Sequence, residues 1–184
     1  MGYSSKSPWL IHYDGSSCNG CDIEVLDSLT PRYDIERFGI INTGNPKHAD
    51  IFLVTGSVNH QNINVVKHIY DQMLEPKVVV ACGACACTGG VFRECYNVLG
   101  GGDKAIPVDV YAPGCAVRPE TIIDAVLQGV AILDEKAERM RRGLPPVPPE
   151  EAPAPGAEDA PATATSAAPG EPAGAGAAAQ RKDA

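Results

Sequence analysis

The sequence predicts an α/β domain, built on a parallel sheet of about four to five strands with helices on both faces. Short apolar runs without polar alternation recur along the chain, which is typical of strands buried on both sides. Segments with apolar residues at helical spacing separate these runs. This alternation of strand and helix favours a parallel sheet with right-handed crossovers.

The first half of the domain begins with an apolar strand predicted at 9–13. A loop of small residues follows, and then a helix at 21–29 whose first turn holds the acids Asp22 and Glu24, as the helix dipole favours. The alternating residues 33–38 are predicted to be a second strand. Residues 39–50, which contain several turn formers, are expected to be a loop.

The second half contains the most strongly apolar strands. A buried strand is predicted at 51–55, an amphipathic helix at 62–74 and another buried strand at 77–81. A small-residue loop at 82–90, a short helix at 91–98 and a flexible joint at 100–102 are expected next. The last strand is predicted at 108–111 and the last helix from Glu120 to about Arg142.

The composition changes abruptly near residue 144. The following residues hold nine of the sixteen prolines and no aromatic residue, Leu, Ile, Met or Cys. Such a segment buries too little apolar surface to offset the entropy of ordering. We therefore predict a domain at 1–143 and a Pro/Ala-rich disordered tail at 144–184.

Charge and hydropathy exclude several classes of protein. The chain has 23 acids against 15 bases, a net charge of −8, which argues against a nucleic-acid partner. There is no apolar run of 18 residues that could span a membrane. The first residues lack the basic and then apolar pattern of a secretory signal, so we expect a protein in a reducing compartment.

All seven cysteines lie in the first 115 residues, and most of them follow predicted strands. An odd number without an export signal argues against a disulfide framework. Strand-to-helix loops of a parallel sheet leave from one edge, where ligands bind in such folds. The cysteines that converge on this edge are Cys18 and Cys21, then Cys82, Cys85 and Cys87, and finally Cys115.

Four thiolates from three loops are suited to an iron–sulfur cluster or a structural zinc ion. The loops contain many small residues, which allow backbone N–H groups to approach sulfur, and this favours a four-iron cluster. Cys18, Cys21 and Cys115 are the clear ligands. The fourth is Cys82, Cys85 or Cys87. Cys85, between small neighbours, is the best placed of these, and Cys87 is close behind.

The remaining interpretations explain less of the sequence. A thioredoxin-like redox pair at Cys18 and Cys21 leaves the other loop cysteines without a role. The glycines do not form a phosphate-binding motif. Cys95 is expected to be a core or surface thiol. His12, at the end of the first strand, is either a hydrogen-bond donor to a cluster sulfur or a structural histidine.

Taken together, the motifs of residues 8–133 resemble the small subunit of membrane-bound, energy-converting [NiFe] hydrogenases, including the Ech and formate hydrogenlyase types. That family also includes the B-type subunit of respiratory complex I. The motifs that carry the resemblance are Cys18-Asn19-Gly20-Cys21-Asp22-Ile23-Glu24, residues 30–39, His48-Ala49-Asp50-Ile51, Val54-Thr55-Gly56, Gly83-Ala84-Cys85-Ala86, residues 89–92, Pro113-Gly114-Cys115 and Arg118-Pro119-Glu120.

The resemblance implies a flavodoxin-like domain that holds one [4Fe-4S] cluster. By motif, its ligands are Cys18, Cys21, Cys85 and Cys115, which selects Cys85 over Cys87. The complex I subunit has two adjacent cysteines in the first motif, whereas this chain has Cys-x-x-Cys, a spacing that favours a hydrogenase. Exported hydrogenases have longer small subunits and a twin-arginine signal, so this chain is expected to be the short type that faces the cytoplasm.

The family also implies the partners. The chain is expected to relay electrons between a NiFe centre on a hydrogenase large subunit and a ferredoxin-like iron–sulfur subunit, without a catalytic residue of its own. A membrane-embedded complex I-like subunit completes the complex at the cytoplasmic face of the cell membrane. The alternatives are a quinone- or sulfur-reducing complex I-like subunit and a stand-alone metal-binding redox module.

Overall fold

The structure, a computed structural model, describes residues 7–144. These residues all belong to one compact unit. The predicted disordered tail lies outside the described residues except for Leu144, so the domain boundary stays a prediction. In residues 7–144 we find no helix with the length and apolar character that crossing a membrane requires.

Five parallel strands form a single sheet in the order β2-β1-β3-β4-β5. This is the flavodoxin-like order, with the switch point between β1 and β3. The predicted parallel α/β fold is therefore confirmed. The strands are β1 (Trp9–Asp14), β2 (Ile41–Asn42), β3 (Ile51–Thr55), β4 (Val78–Cys82) and β5 (Val110–Ala112).

Helices cover both faces of the sheet because successive strand residues point to opposite sides. The helices are α1 (Gly20–Ser28), α2 (Ile63–Gln72), α3 (Gly83–Thr88) and α4 (Pro119–Arg141). Leu53 and Val80 pack in one core with residues of α1 and α4. Their neighbours Phe52 and Val79 pack in the other core with residues of α2 and α3.

The predicted second strand is wrong. Residues 33–38 form a turn and the short 3-10 helix Ile35–Phe38, with Ile35 buried at 1% exposure. The second strand is instead Ile41–Asn42, inside the expected loop, and it pairs with β1 on the side away from β3. An alternating pattern can also bury one residue beneath a tight turn, and two residues are too few to show a strand pattern of their own.

Three further expectations need correction around β4. The strand extends through Cys82, and the expected loop at 82–90 contains helix α3. Residues 91–98 form turns after a 3-10 helix at Gly90–Phe92, instead of a regular short helix. The glycines at 100–102 are buried and begin a 3-10 turn, so they are packed instead of forming an exposed joint.

The register of the sheet places the ends of four strands in one row. Asp14 pairs with Thr55, Thr55 with Cys82, and Cys82 with Ala112. The loops that leave β1, β3, β4 and β5 therefore start side by side. This row is the physical basis of the site described next.

Candidate metal centre

Three of these loops carry the cysteines predicted as ligands. Cys18 lies in the loop between β1 and α1, and Cys21 in the first turn of α1. Cys85 lies in α3, directly after β4, and Cys115 in the turn after β5. Cys18 and Cys115 are exposed, whereas Cys21 and Cys85 are partly buried. The carboxyl edge of the sheet thus gathers the four residues.

The electrostatics of Cys21 and Cys85 show that the four thiols are neighbours. Burial raises the pKa of Cys21, the N–H of Val117 opposes this, and the charges of Cys115 and Cys18 raise it further. Burial also raises the pKa of Cys85, together with the charges of Cys115, Cys21 and Cys18. Like charges raise a thiol pKa in this way when they lie close together.

The sulfur of Cys21 sits in a close-fitting backbone cradle. The backbone N–H of Val117 hydrogen-bonds to it. A Cβ atom on Gly83 would lie 2.5 Å from this sulfur, closer than real Cβ contacts allow. Gly83 also has a φ of +86°, which L side chains rarely adopt. Both the space and the conformation therefore require glycine at this position.

Direct contacts also interlock the three cysteine-bearing segments. The N–H of Ala84 donates to the carbonyl of Gly114 at 2.8 Å, which joins α3 to the Cys115 turn. A Cβ on Gly20 would lie 3.3 Å from the Cβ of Ala116, so α1 packs against the same turn. The Cβ position of Gly90 is 3.4 Å from the sulfur of Cys85. The segments thus hold one another in place.

The other cysteines have different surroundings. Cys82 is completely buried, and burial raises the pKa of its thiol far above the ordinary range. Burial raises the pKa of Cys87 to about 11. Its thiol lies in the core, where it donates to the carbonyl of Ala81 at 3.5 Å. Cys95 is exposed in the turns that follow Phe92.

The arrangement fits an iron–sulfur cluster in its donor chemistry. Thiolates are the ligands that such clusters use, and N–H groups directed at sulfur tune them. Within residues 7–144, no three His, Cys, Asp or Glu side chains stand close enough together to hold a single metal ion.

At the switch point between β1 and β3, the loops that follow these two strands are hydrogen-bonded to each other. The Ser16 hydroxyl donates to the carbonyl of Ser57 at 3.0 Å, and the Ser57 hydroxyl donates to the carbonyl of Ser16 at 3.0 Å. The side-chain amide of Asn59 donates to the Ser16 hydroxyl at 3.2 Å. These bonds fix the start of the loop that carries Cys18.

His12 has protein partners at both ring nitrogens. Its Nε2 lies 2.9 Å from the hydroxyl of Thr55, and its Nδ1 lies 3.4 Å from a carboxylate oxygen of Asp22. Burial lowers the pKa of His12, while the charges of Asp22 and Asp14 oppose this. These contacts match the structural role, and they connect β1 to α1 and β3.

Residues that support the site escaped the sequence interpretation. Asp14 and Thr55 form a hydrogen-bonded pair beneath the Cys18 loop. Each is a polar residue at the end of an apolar strand, and this pattern in the sequence could have indicated them. Val117 acts through its backbone N–H, so its side chain gives no signal. The close approach of Gly83 to Cys21 depends on packing between segments distant in sequence.

The chain belongs to the family described as NADH ubiquinone oxidoreductase, 20 Kd subunit, and is therefore an oxidoreductase-type subunit. The family model matches residues 18–129, a range that includes the four cysteines of the site. The resemblance drawn from the motifs is therefore confirmed.

Individual relatives come from several complexes. The chain is 50% identical to the probable membrane-bound hydrogenase subunit mbhJ of Pyrococcus furiosus, over 81% of this chain and 86% of that one. It is 44% identical to a B-type subunit of the NADH-quinone oxidoreductase of Symbiobacterium thermophilum, over 78% and 75% of the two chains. A chain of the membrane-bound sulfane sulfur reductase, an archaeal respiratory membrane complex, matches with a TM-score of 0.63 and 34% identity, over 76% and 80%.

Proposed function

We propose that this chain is the electron-transfer subunit of a membrane-bound, energy-converting [NiFe] hydrogenase complex. The observation that carries the proposal is the gathering of four thiols at one sheet edge, in a chain half identical to a membrane-bound hydrogenase subunit. The Cys-x-x-Cys spacing of Cys18 and Cys21 supports a hydrogenase over a quinone reductase.

Cys18, Cys21, Cys85 and Cys115 would hold one [4Fe-4S] cluster. When bound, the cluster accepts and releases single electrons. The chain's own residues hold the thiolates apart, supply the N–H of Val117 to the sulfur of Cys21, and leave space at Gly83 for that sulfur. The role of this subunit is therefore to fix the position and the reduction potential of the cluster that relays the electrons.

The surroundings of the site support a protein partner. Cys18 and Cys115 are exposed in this chain, so water reaches the thiols unless another subunit covers them. Ile23 and Phe92, which follow the cysteine-bearing segments, are 62% and 50% exposed. The hydrogenase large subunit, with its NiFe centre, is the partner we place on this surface.

Electrons would then continue to a ferredoxin-like iron–sulfur subunit, and a membrane-embedded complex I-like subunit would couple the flow to ion transport. The complex would place this chain at the cytoplasmic face of the cell membrane as a peripheral subunit. Relatives that are subunits of membrane-bound complexes support the membership of a membrane complex on which this proposal builds.

A second candidate is a sulfur- or quinone-reducing complex with the same kind of cluster. The structural similarity to a chain of the sulfane sulfur reductase, together with the identity to an NADH-quinone oxidoreductase subunit, favours this candidate over a stand-alone module. The two proposals share the site and differ in the reaction of the partner subunit.

Anaerobic isolation of the complex through a tag on this chain tests the proposal. We expect co-purifying subunits, iron and sulfide, nickel, hydrogen uptake, and an electron paramagnetic resonance signal from the reduced cluster. Iron without nickel or hydrogen uptake would support the second candidate. A chain that purifies alone, or one without any iron–sulfur signal, would refute the electron-transfer role.

A further inference from the structure

Asp14, the last residue of β1, has hydrogen bonds directly beneath the loop that carries Cys18. Its Oδ1 accepts from the Ser17 hydroxyl at 3.0 Å and from the Thr55 hydroxyl at 3.3 Å. The Ser17 hydroxyl in turn accepts from the backbone N–H of Asn19 at 3.0 Å. Ser17 and Asn19 are the neighbours of Cys18 on either side, so the carboxylate holds both ends of this short segment.

The other end of this chain of bonds is anchored in the sheet. Thr55 is completely buried, and it is the register partner of Asp14 on the adjacent strand. Its hydroxyl is also bonded to His12. The carboxylate fits closely, because a Cβ on Gly56 would lie 2.7 Å from Oδ1 of Asp14. The position of Asp14 is therefore fixed from the core side.

The same carboxylate lies close to the candidate metal centre. It accepts a hydrogen bond from Ser17, the residue directly before Cys18, so its charge is near the proposed ligands. Among the described residues, no lysine or arginine forms an ion pair with Asp14. The half-buried carboxylate therefore adds negative charge close to the thiols without a neutralising partner.

We propose that Asp14 is a positioning residue of the metal centre, which anchors the Cys18 loop through Ser17 and lowers the reduction potential of the bound cluster through its charge. The inference rests on the proposed function. Reduction adds an electron to the site, and a nearby carboxylate disfavours that added charge. Charge near a cluster is one of the factors that set its potential.

The variant Asp14→Asn separates charge from position, since the amide oxygen still accepts from Ser17 and Thr55. In the isolated complex we expect normal cluster content and a midpoint potential shifted upward. The reduction equilibrium should change a few-fold, where a tenfold change is about 59 mV for one electron. The matched control is Asp50→Asn, which removes a carboxylate that accepts the Trp9 N–H at the opposite end of β1. We expect no shift there.

The variant Ser17→Ala tests the anchor while the carboxylate stays in place. We expect an altered resonance line shape or reduced iron content, with a smaller change of potential than in Asp14→Asn. If the cluster of the Asp14→Asn complex has the same midpoint reduction potential as that of the Asp50→Asn complex, the electrostatic role of Asp14 is wrong. An unaltered spectrum and iron content in Ser17→Ala would overturn the anchoring role. An unmodified complex without a cluster would refute the proposed function itself, and this inference with it.

Discussion

Cys85 and Cys87 are two residues apart in α3 and have opposite environments. Residues at this spacing do not share a helix face. Cys85 is partly buried beside Cys21, Cys18 and Cys115, whereas Cys87 lies in the apolar core against the carbonyl of Ala81. Its raised pKa, about 11, keeps the Cys87 thiol protonated at neutral pH. Cys85 is therefore the proposed ligand because its face of α3 is directed at the other thiols, whereas Cys87 lies on the face that packs in the core.

Substitution of single cysteines tests this assignment. We expect Cys85→Ser to lose nearly all of the normal cluster, measured as iron and sulfide per chain and by paramagnetic resonance. Cys95→Ser is the matched control, because Cys95 is exposed and is not among the groups that shift the pKa of Cys21 or Cys85, and it should keep the full iron content. Cys87→Ser should also keep the cluster. Loss of the cluster in Cys87→Ser with retention in Cys85→Ser would contradict the ligand set.

At the scale of elements, the junction of β4 and α3 controls how closely the helices approach the thiols. Gly83 begins α3 directly after the last residue of β4, and its missing side chain leaves room for the sulfur of Cys21. The N–H of the next residue, Ala84, is bonded to the Cys115 turn. This junction thus connects all three cysteine-bearing segments.

The variant Gly83→Ala tests the junction. The left-handed conformation should cost about 1–2 kcal/mol with alanine, and the new Cβ should displace the sulfur of Cys21. We expect a lower thermal midpoint and reduced iron content. Gly44→Ala is the matched control, since its Cβ would meet nothing within 4 Å. Equal stability and iron content in both variants would show that the junction tolerates a side chain.

At the scale of the whole molecule, the fold places a redox site at the rim of a stable sheet. The two cores on either side of β3 and β4 are formed by residues between 10 and 133. The exposed thiols lie at the carboxyl edge, where a partner can approach them. The thiols at this edge thus form a surface site that the proposed partner subunit would cover.

Removal of residues 145–184 tests the predicted domain boundary. The composition of this segment predicts no contribution to an apolar core, so a chain that ends at Leu144 should keep its thermal midpoint and its iron content. The full chain in the same buffer is the reference. A midpoint lowered by several degrees would mean that the segment packs on the domain and that the predicted boundary is wrong.

Much of the fold could be predicted from local patterns. The strand at 51–55 was predicted with its observed bounds, and the predicted ends of the last helix differ from the observed ends by about one residue. Both predictions succeeded because a long apolar pattern in the sequence indicates which residues are buried. The strand Ile41–Asn42 could not be predicted, since pairing with β1 alone makes it a strand. Likewise, α3 is a helix of small residues and cysteines that has no amphipathic pattern.

The sequence by itself determined the class of fold, the family, and the edge of the sheet at which the cysteines meet. These properties depend on strand and helix periodicity and on short motifs, which are local in the chain. Only the tertiary structure decided which groups support the thiols: the space at Gly83, the N–H of Val117 and the hydrogen bond between Asp14 and Thr55. Those contacts join segments far apart in sequence, so packing and register create them, and no local pattern encodes them.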